Sequence, residues 1–137
     1  MEIETIMLTI DFGLVVLIWL VQLIIYPSFL HFQAKDLIHW HHTYTKRLAV
    51  VVVPLMVGQA ILALLQIYRG FGALEAIRLS LIIAVWISTF AQFVPIHHKI
   101  ASGIVDRPML HGLVSRNWLR TALWNGLFVL DLCIGLI

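Results

Sequence analysis

Imidazole and guanidinium groups are the reactive chemistry of this sequence, and they are unevenly placed. All seven histidines (His31, His39, His41, His42, His97, His98 and His111) fall in two short stretches and their flanks. Tyr44 and Arg47 follow the first cluster, and Asn117, Arg120 and Thr121 follow the second. An imidazole takes up and releases protons near neutral pH, or ligates a metal. A guanidinium stays charged and offers a planar fork that can hold an anionic group, an enolate or another oxyanion. Brought together, these groups could deprotonate an acidic organic molecule and stabilise the anion that results.

The elements that must position them are apolar. Of the 137 residues, 61% are hydrophobic and 12% charged, whereas soluble domains carry about a quarter charged. A chain this small lacks the interior to hide so much apolar surface, so lipid must solvate part of it. Apolar runs at about 6–30, 47–67, 77–97 and 113–137 each approach the ~20 residues that cross ~30 Å of hydrocarbon. With their flanks they predict spans at 6–30, 40–67, 75–101 and 108–136. The fold class expected is all-α, an integral membrane four-helix bundle with up-down-up-down antiparallel topology, in one domain. Glu2 and Glu4 stand where a signal peptide would carry Lys or Arg, so the first span is expected to be retained.

Punctuation agrees with this division. Pro27 and Pro95 should end or kink the first and third spans, and Pro54 kinks the second. Gly70 and Gly72 predict a short turn between spans 2 and 3. Gly103 can close span 3, and Asp106 can cap span 4 with Pro108 in its first turn. A faint duplication relates Gln22…Pro27…His31 to Gln92…Pro95…His97, and Tyr44-x-x-Arg47 to Asn117-x-x-Arg120, as in parallel membrane repeats. Cys133 is the one cysteine, which excludes an intrachain disulfide and a cysteine metal site.

Basic residues suggest orientation. Lys35, Lys46, Arg47, Lys99, Arg107, Arg116 and Arg120 lie toward the two longer connections, against Arg69 and Arg78 on the opposite side. The positive-inside rule then puts both termini outside a plasma (inner) membrane and the 1–2 and 3–4 connections in the cytoplasm. A net charge of +2 is too small to suggest nucleic acid. The expected partners are the lipid bilayer and a lipophilic small molecule, and a homo-oligomer is compatible with the sequence.

Helical phase gathers the polar groups. A charged residue facing acyl chains costs about 2.5–3.5 kcal/mol even on insertion scales, so inward faces should collect them. The predicted inward set is Gln22, Tyr26, His41, Tyr44, Arg47, Gln92, His97, Asn117, Arg120, Thr121 and Trp124, converging on the cytoplasmic half. His41, Arg47, His97, Asn117 and Arg120 are candidate catalytic groups. Gln22, Tyr26, Tyr44, Gln92, Thr121 and Trp124 are candidate substrate contacts. His41, His97 and His98 could ligate a transition metal, and His41 with His97 could hold a b-type haem; a cofactor-free site fits equally. The alternative reading makes each histidine a headgroup contact and has each arginine snorkel to the interface. Asp11 and Asp131 fall on inward stripes near the other face, where a proton or cation relay would want carboxylates.

The pattern Gln92-x-x-Pro95-x-His97, Gly103, then Leu113-Val114-x-x-Asn117-Trp118-x-Arg120-Thr121 resembles small four-span bacterial membrane proteins of unassigned function. More distantly it is similar to the anthrone-oxygenase-like family. The likeness covers roughly the last third of the chain, echoed in Trp40-His41-x-x-Tyr44-x-x-Arg47. It implies cofactor-free oxygenation of a polyphenolic anthrone, with His97, Asn117, Arg120 and Thr121 at the site. The first expectation is therefore a membrane-embedded oxidoreductase or oxygenase acting on a lipophilic aromatic or quinone-like substrate. A haem- or metal-binding membrane subunit and a small transporter or channel subunit are the alternatives.

Overall fold

Glycine, proline and an aspartate cap divide the chain where the apolar runs stop. In the computed structural model, which describes residues 2–135, four helices follow: α1 (Glu2–His31), α2 (Ala34–Arg69), α3 (Ala73–Ala101) and α4 (Arg107–Gly135). No strand occurs among the described residues. The expected spans are 6–30, 40–67, 75–101 and 108–136; α1 starts four residues earlier, at Glu2, and α2 six earlier, at Ala34, and the last position of span 4, Leu136, lies outside the described residues.

The turns use the predicted devices. Gly103 takes φ +86°, and beyond it the Ile104 N–H reaches back to the Lys99 carbonyl at 2.9 Å, closing α3 with a left-handed residue. The Asp106 carboxylate accepts the Met109 N–H at 2.7 Å, capping α4. The Glu75 carboxylate accepts the Gly72 N–H at 2.9 Å in the short α2–α3 turn.

Helices α1 and α3 share a local defect. Each loosens into one wide π-type turn, at Val21–Ile25 and Thr89–Phe93, and a proline follows two residues after its end, Pro27 or Pro95. Proline lacks an N–H and its ring crowds the carbonyl four residues back; the wide turn relaxes the ladder there. The same pairing of defects in both odd-numbered helices matches the faint duplication in sequence.

Neighbours in sequence are neighbours in space, and α4 closes the ring against α1. Among the described residues, three helices are long and apolar enough to cross a membrane. The fourth differs from expectation: Asn117, Arg120, Thr121 and Asp131 interrupt its apolar run. All four are buried, while Trp118, Leu119 and Val129 give its outer face an apolar surface. The chain is thus a membrane protein, a four-helix bundle whose fourth helix turns its polar side inward.

Two polar clusters occupy opposite halves of the bundle, separated by a buried apolar layer of Leu14, Ile18, Val85 and Leu127. In the half nearer the termini, Arg78 of α3 pairs with Asp131 of α4 and donates to Gln66 of α2. Gln59 donates to Asp11, whose carboxyl faces Asp131. The other half holds the histidines.

Candidate functional site

Four helices supply the walls of a cavity of about 450 Å³, within the range of small-molecule sites. Its polar groups are His41, Tyr44 and Thr45 from α2, Tyr26 from α1, Thr89, His97 and His98 from α3, and Arg120 and Trp124 from α4.

A chain of hydrogen bonds runs along one wall. His41 Nε2 and His97 Nδ1 face each other at 2.7 Å, and His97 Nε2 meets the Tyr26 hydroxyl at 3.2 Å. Such a chain needs one N–H and one lone pair at each ring contact, so it exists in two tautomer arrangements that differ in the direction every proton points. Aromatic neighbours hold the rings: the Phe29 ring stands edge-on to His41 and Tyr44 with centroids 6.3 and 5.5 Å away. The far nitrogen of His41, Nδ1, is buried without a partner.

Beside the phenol end of this chain stands Arg120, which interacts with Tyr26. Its guanidinium carbon lies 4.3 Å from the Phe93 ring centroid and 5.3 Å from that of Trp124, an arrangement that favours a cation. No carboxylate pairs with it among the described residues. Its Nε, the Trp124 indole nitrogen and the Tyr44 hydroxyl are buried without hydrogen bonds. Buried polar groups are rarely left unpaired. Four of the nine such atoms among the described residues belong to cavity-lining side chains, those of His41, Tyr44, Arg120 and Trp124.

Several expected site residues lie elsewhere. Arg47 is exposed and outside the cavity lining. The stripe His41, Tyr44, Arg47, Val51 advances mostly by three residues, and each such step falls about 60° short of a full turn. The buried face instead continues through Leu48 and Val52 to Met56, Gln59 and Ala63. Gln92 is only partly buried, accepts the Ser88 hydroxyl at 2.9 Å and does not line the cavity. The wide turn through Thr89–Phe93 shifts the helical phase, so Phe93 takes the inward position. That shift has no simple mark in a periodicity count, and Phe93 was missed for this reason.

Gln22, Asn117 and Thr121 are buried together but also lie outside the lining. Gln22 accepts from Asn117 at 3.0 Å and from Thr121 at 3.2 Å, and donates to the Val114 carbonyl at 3.1 Å. They form a clasp between α1 and α4 instead of substrate contacts. His39 and His42 point outward.

The donor set does not fit the metal readings. His98 is exposed at the cavity rim, because consecutive helix residues point about 100° apart. No trio of His, Cys, Asp or Glu among the described residues is placed to hold a metal. Axial imidazoles bind one iron from opposite faces, with nitrogens about 4 Å apart when each bond is about 2 Å. His41 and His97 touch nitrogen to nitrogen, which leaves no place for an iron between them. Scans of this chain against protein-family models, curated proteins and solved structures give no match.

Proposed function

We propose that this protein is a membrane-embedded enzyme of the oxidoreductase or oxygenase class, acting on a lipophilic phenol, enol or quinone-like aromatic. One observation carries the reading: a buried arginine without a carboxylate, backed by two aromatic rings, shares a cavity with an imidazole–imidazole–phenol chain and stands beside its phenol end. A flat substrate with an acidic O–H or C–H would lie against both. Arg120 would hold the developing oxyanion, and Trp124 and Tyr44 would donate to the same oxygen or its neighbour. The substrate proton would pass to the Tyr26–His97–His41 chain, which reverses its tautomers as it relays the charge.

The anion so formed is electron-rich, the form in which such aromatics react with dioxygen without a metal. For an anthrone-type substrate, the methylene carbon loses two hydrogens and gains one oxygen atom; the other oxygen leaves as water. The resemblance to the anthrone-oxygenase-like family supports this choice. The absence of a fitting metal set favours it over a haem or metal subunit, and the apolar layer between the polar clusters disfavours a continuous pore.

Orientation follows the charges that remain on the surface. With Arg120 and Arg78 turned inward, six exposed basic residues (Lys35, Lys46, Arg47, Lys99, Arg107 and Arg116) oppose Arg69 alone. This asymmetry supports a cavity in the cytoplasmic half of an inner membrane, with both termini outside.

The test uses purified protein in lipid nanodiscs with 1,8-dihydroxyanthrone, following dioxygen uptake and appearance of the quinone. Wild type should turn over, and His41→Ala should lose about 10²-fold or more. Equal rates in wild type, His41→Ala and Arg120→Met would remove the assignment.

A further inference from the structure

The walls of the cavity are unequally covered. From α1, Ile18, Val21 and Tyr26 are buried and Leu17 is half-buried, and Arg120 and Trp124 from α4 are buried. The residues from α2 and α3 include half-buried Leu48, Ala49, Val52 and Thr89, and Val94 and Ala101 are exposed. The floor therefore belongs to α1 and α4, and the opening lies at the seam between α2 and α3.

Two features shape that seam. Small side chains border it, Thr45 and Ala49 on α2 and Thr89 and Ala101 on α3. The wide turn at Thr89–Phe93 and Pro95 then disturb α3 at the same level. Leu48, Ala49, Val52 and Val94 belong to apolar runs, so this part of the opening meets hydrocarbon, whereas Thr45, His98 and Ala101 lie toward the polar end. A water-soluble ligand would meet an opening at the polar end alone. An opening that continues down an apolar flank fits a molecule already dissolved in the bilayer.

We infer that the ligand reaches the cavity sideways from the membrane between α2 and α3, and that it is an amphiphile whose acidic aromatic head sits at Arg120 while a hydrocarbon tail stays in the seam. This rests on the reading of Arg120 as an oxyanion holder. Thr45 and Thr89 border the passage; Ala49 and Val52 set its width. A bare aromatic head would fit inside the cavity, so the tail is what the seam would select.

Paired probes test the seam separately from the head site. 2-Naphthol and 6-dodecyl-2-naphthol are titrated into phosphatidylcholine nanodiscs containing wild type, Ala49→Trp, Val52→Phe or Val50→Trp, with empty nanodiscs as the partition control. Val50 is 74% exposed, just outside the seam, so its variant controls for adding bulk to α2. The expected result is that wild type and Val50→Trp bind both probes, while Ala49→Trp and Val52→Phe lose at least tenfold in affinity for the tailed probe alone. Unchanged tailed binding in both narrowed variants, or equal loss of both probes, would overturn the seam while leaving the head site standing. Failure of wild type to bind either probe would overturn the head site and this inference together.

Discussion

Two arginines are buried in this bundle, and their surroundings are opposites. Arg78 is 3% exposed and is met by Asp131 and Gln66. Arg120 is 7% exposed and is met by two aromatic faces and a cavity. Both avoid lipid for the same reason, the cost of a bare charge in hydrocarbon. Only the first finds its counter-charge inside the protein. A guanidinium neutralised by its own chain fastens helices together. One left beside a hollow, with its Nε unpartnered, is placed for a partner that arrives from elsewhere.

That contrast fails or hardens under substitution. The largest effect is expected at Asp131→Asn, which strips the counter-charge from Arg78. Breaking a buried pair costs about 3–5 kcal/mol, read as a lower unfolding midpoint in detergent; binding of 2-naphthol by the protein that stays folded should persist. Arg120→Met should behave the other way round. Binding of the same probe should weaken by about 10- to 100-fold, as for lost charge-assisted hydrogen bonds of ~1.5–3 kcal/mol, while stability changes by no more than the ~2 kcal/mol of a desolvated cation–π contact. If Arg120→Met unfolds the bundle as severely as Asp131→Asn, the two arginines are alike and the distinction is lost.

A smaller shift separates the clasp from the cavity. Asn117→Ala leaves Gln22 without one donor and should lower stability by about 1–2 kcal/mol, measured by denaturation, with probe affinity unchanged. The smallest effect belongs to Arg47→Gln. Its side chain is exposed on α2, so stability should stay within about 0.5 kcal/mol and binding should not move. A marked loss of affinity there would mean that the oxyanion holder has been misidentified.

Much of this arrangement was legible before any coordinates. Of the stripe Leu113, Asn117, Arg120, Thr121, Trp124, Phe128 and Asp131 on α4, all but Phe128 are buried as the phase requires, because a straight helix carries its periodicity faithfully; Phe128 is half-buried and Leu127 is buried beside it. His41 was separated from His39 and His42 by the same reasoning. Phase gave poorer answers where steps of three accumulated, at Arg47, and where a helix was locally unwound, at Gln92. Facing direction also says nothing about what is faced. Gln22, Asn117 and Thr121 do point inward, yet they bond to one another and do not line the cavity. Arg78 resembled an orientation marker because its partner comes from α4, 53 residues away, and no local pattern announces such a pair.

The polar side of α4 has one more consequence, for how the protein reaches its membrane. With Asn117, Arg120 and Asp131 on one helix, this segment alone would partition poorly from the translocon, since Arg and Asp near a helix centre each oppose insertion by about 2.5–3.5 kcal/mol. Arg78 on α3 and Gln22 on α1 remove much of that burden. Biogenesis should therefore hold the earlier helices near the exit until α4 is synthesised, with the last hairpin entering the lipid as a pair.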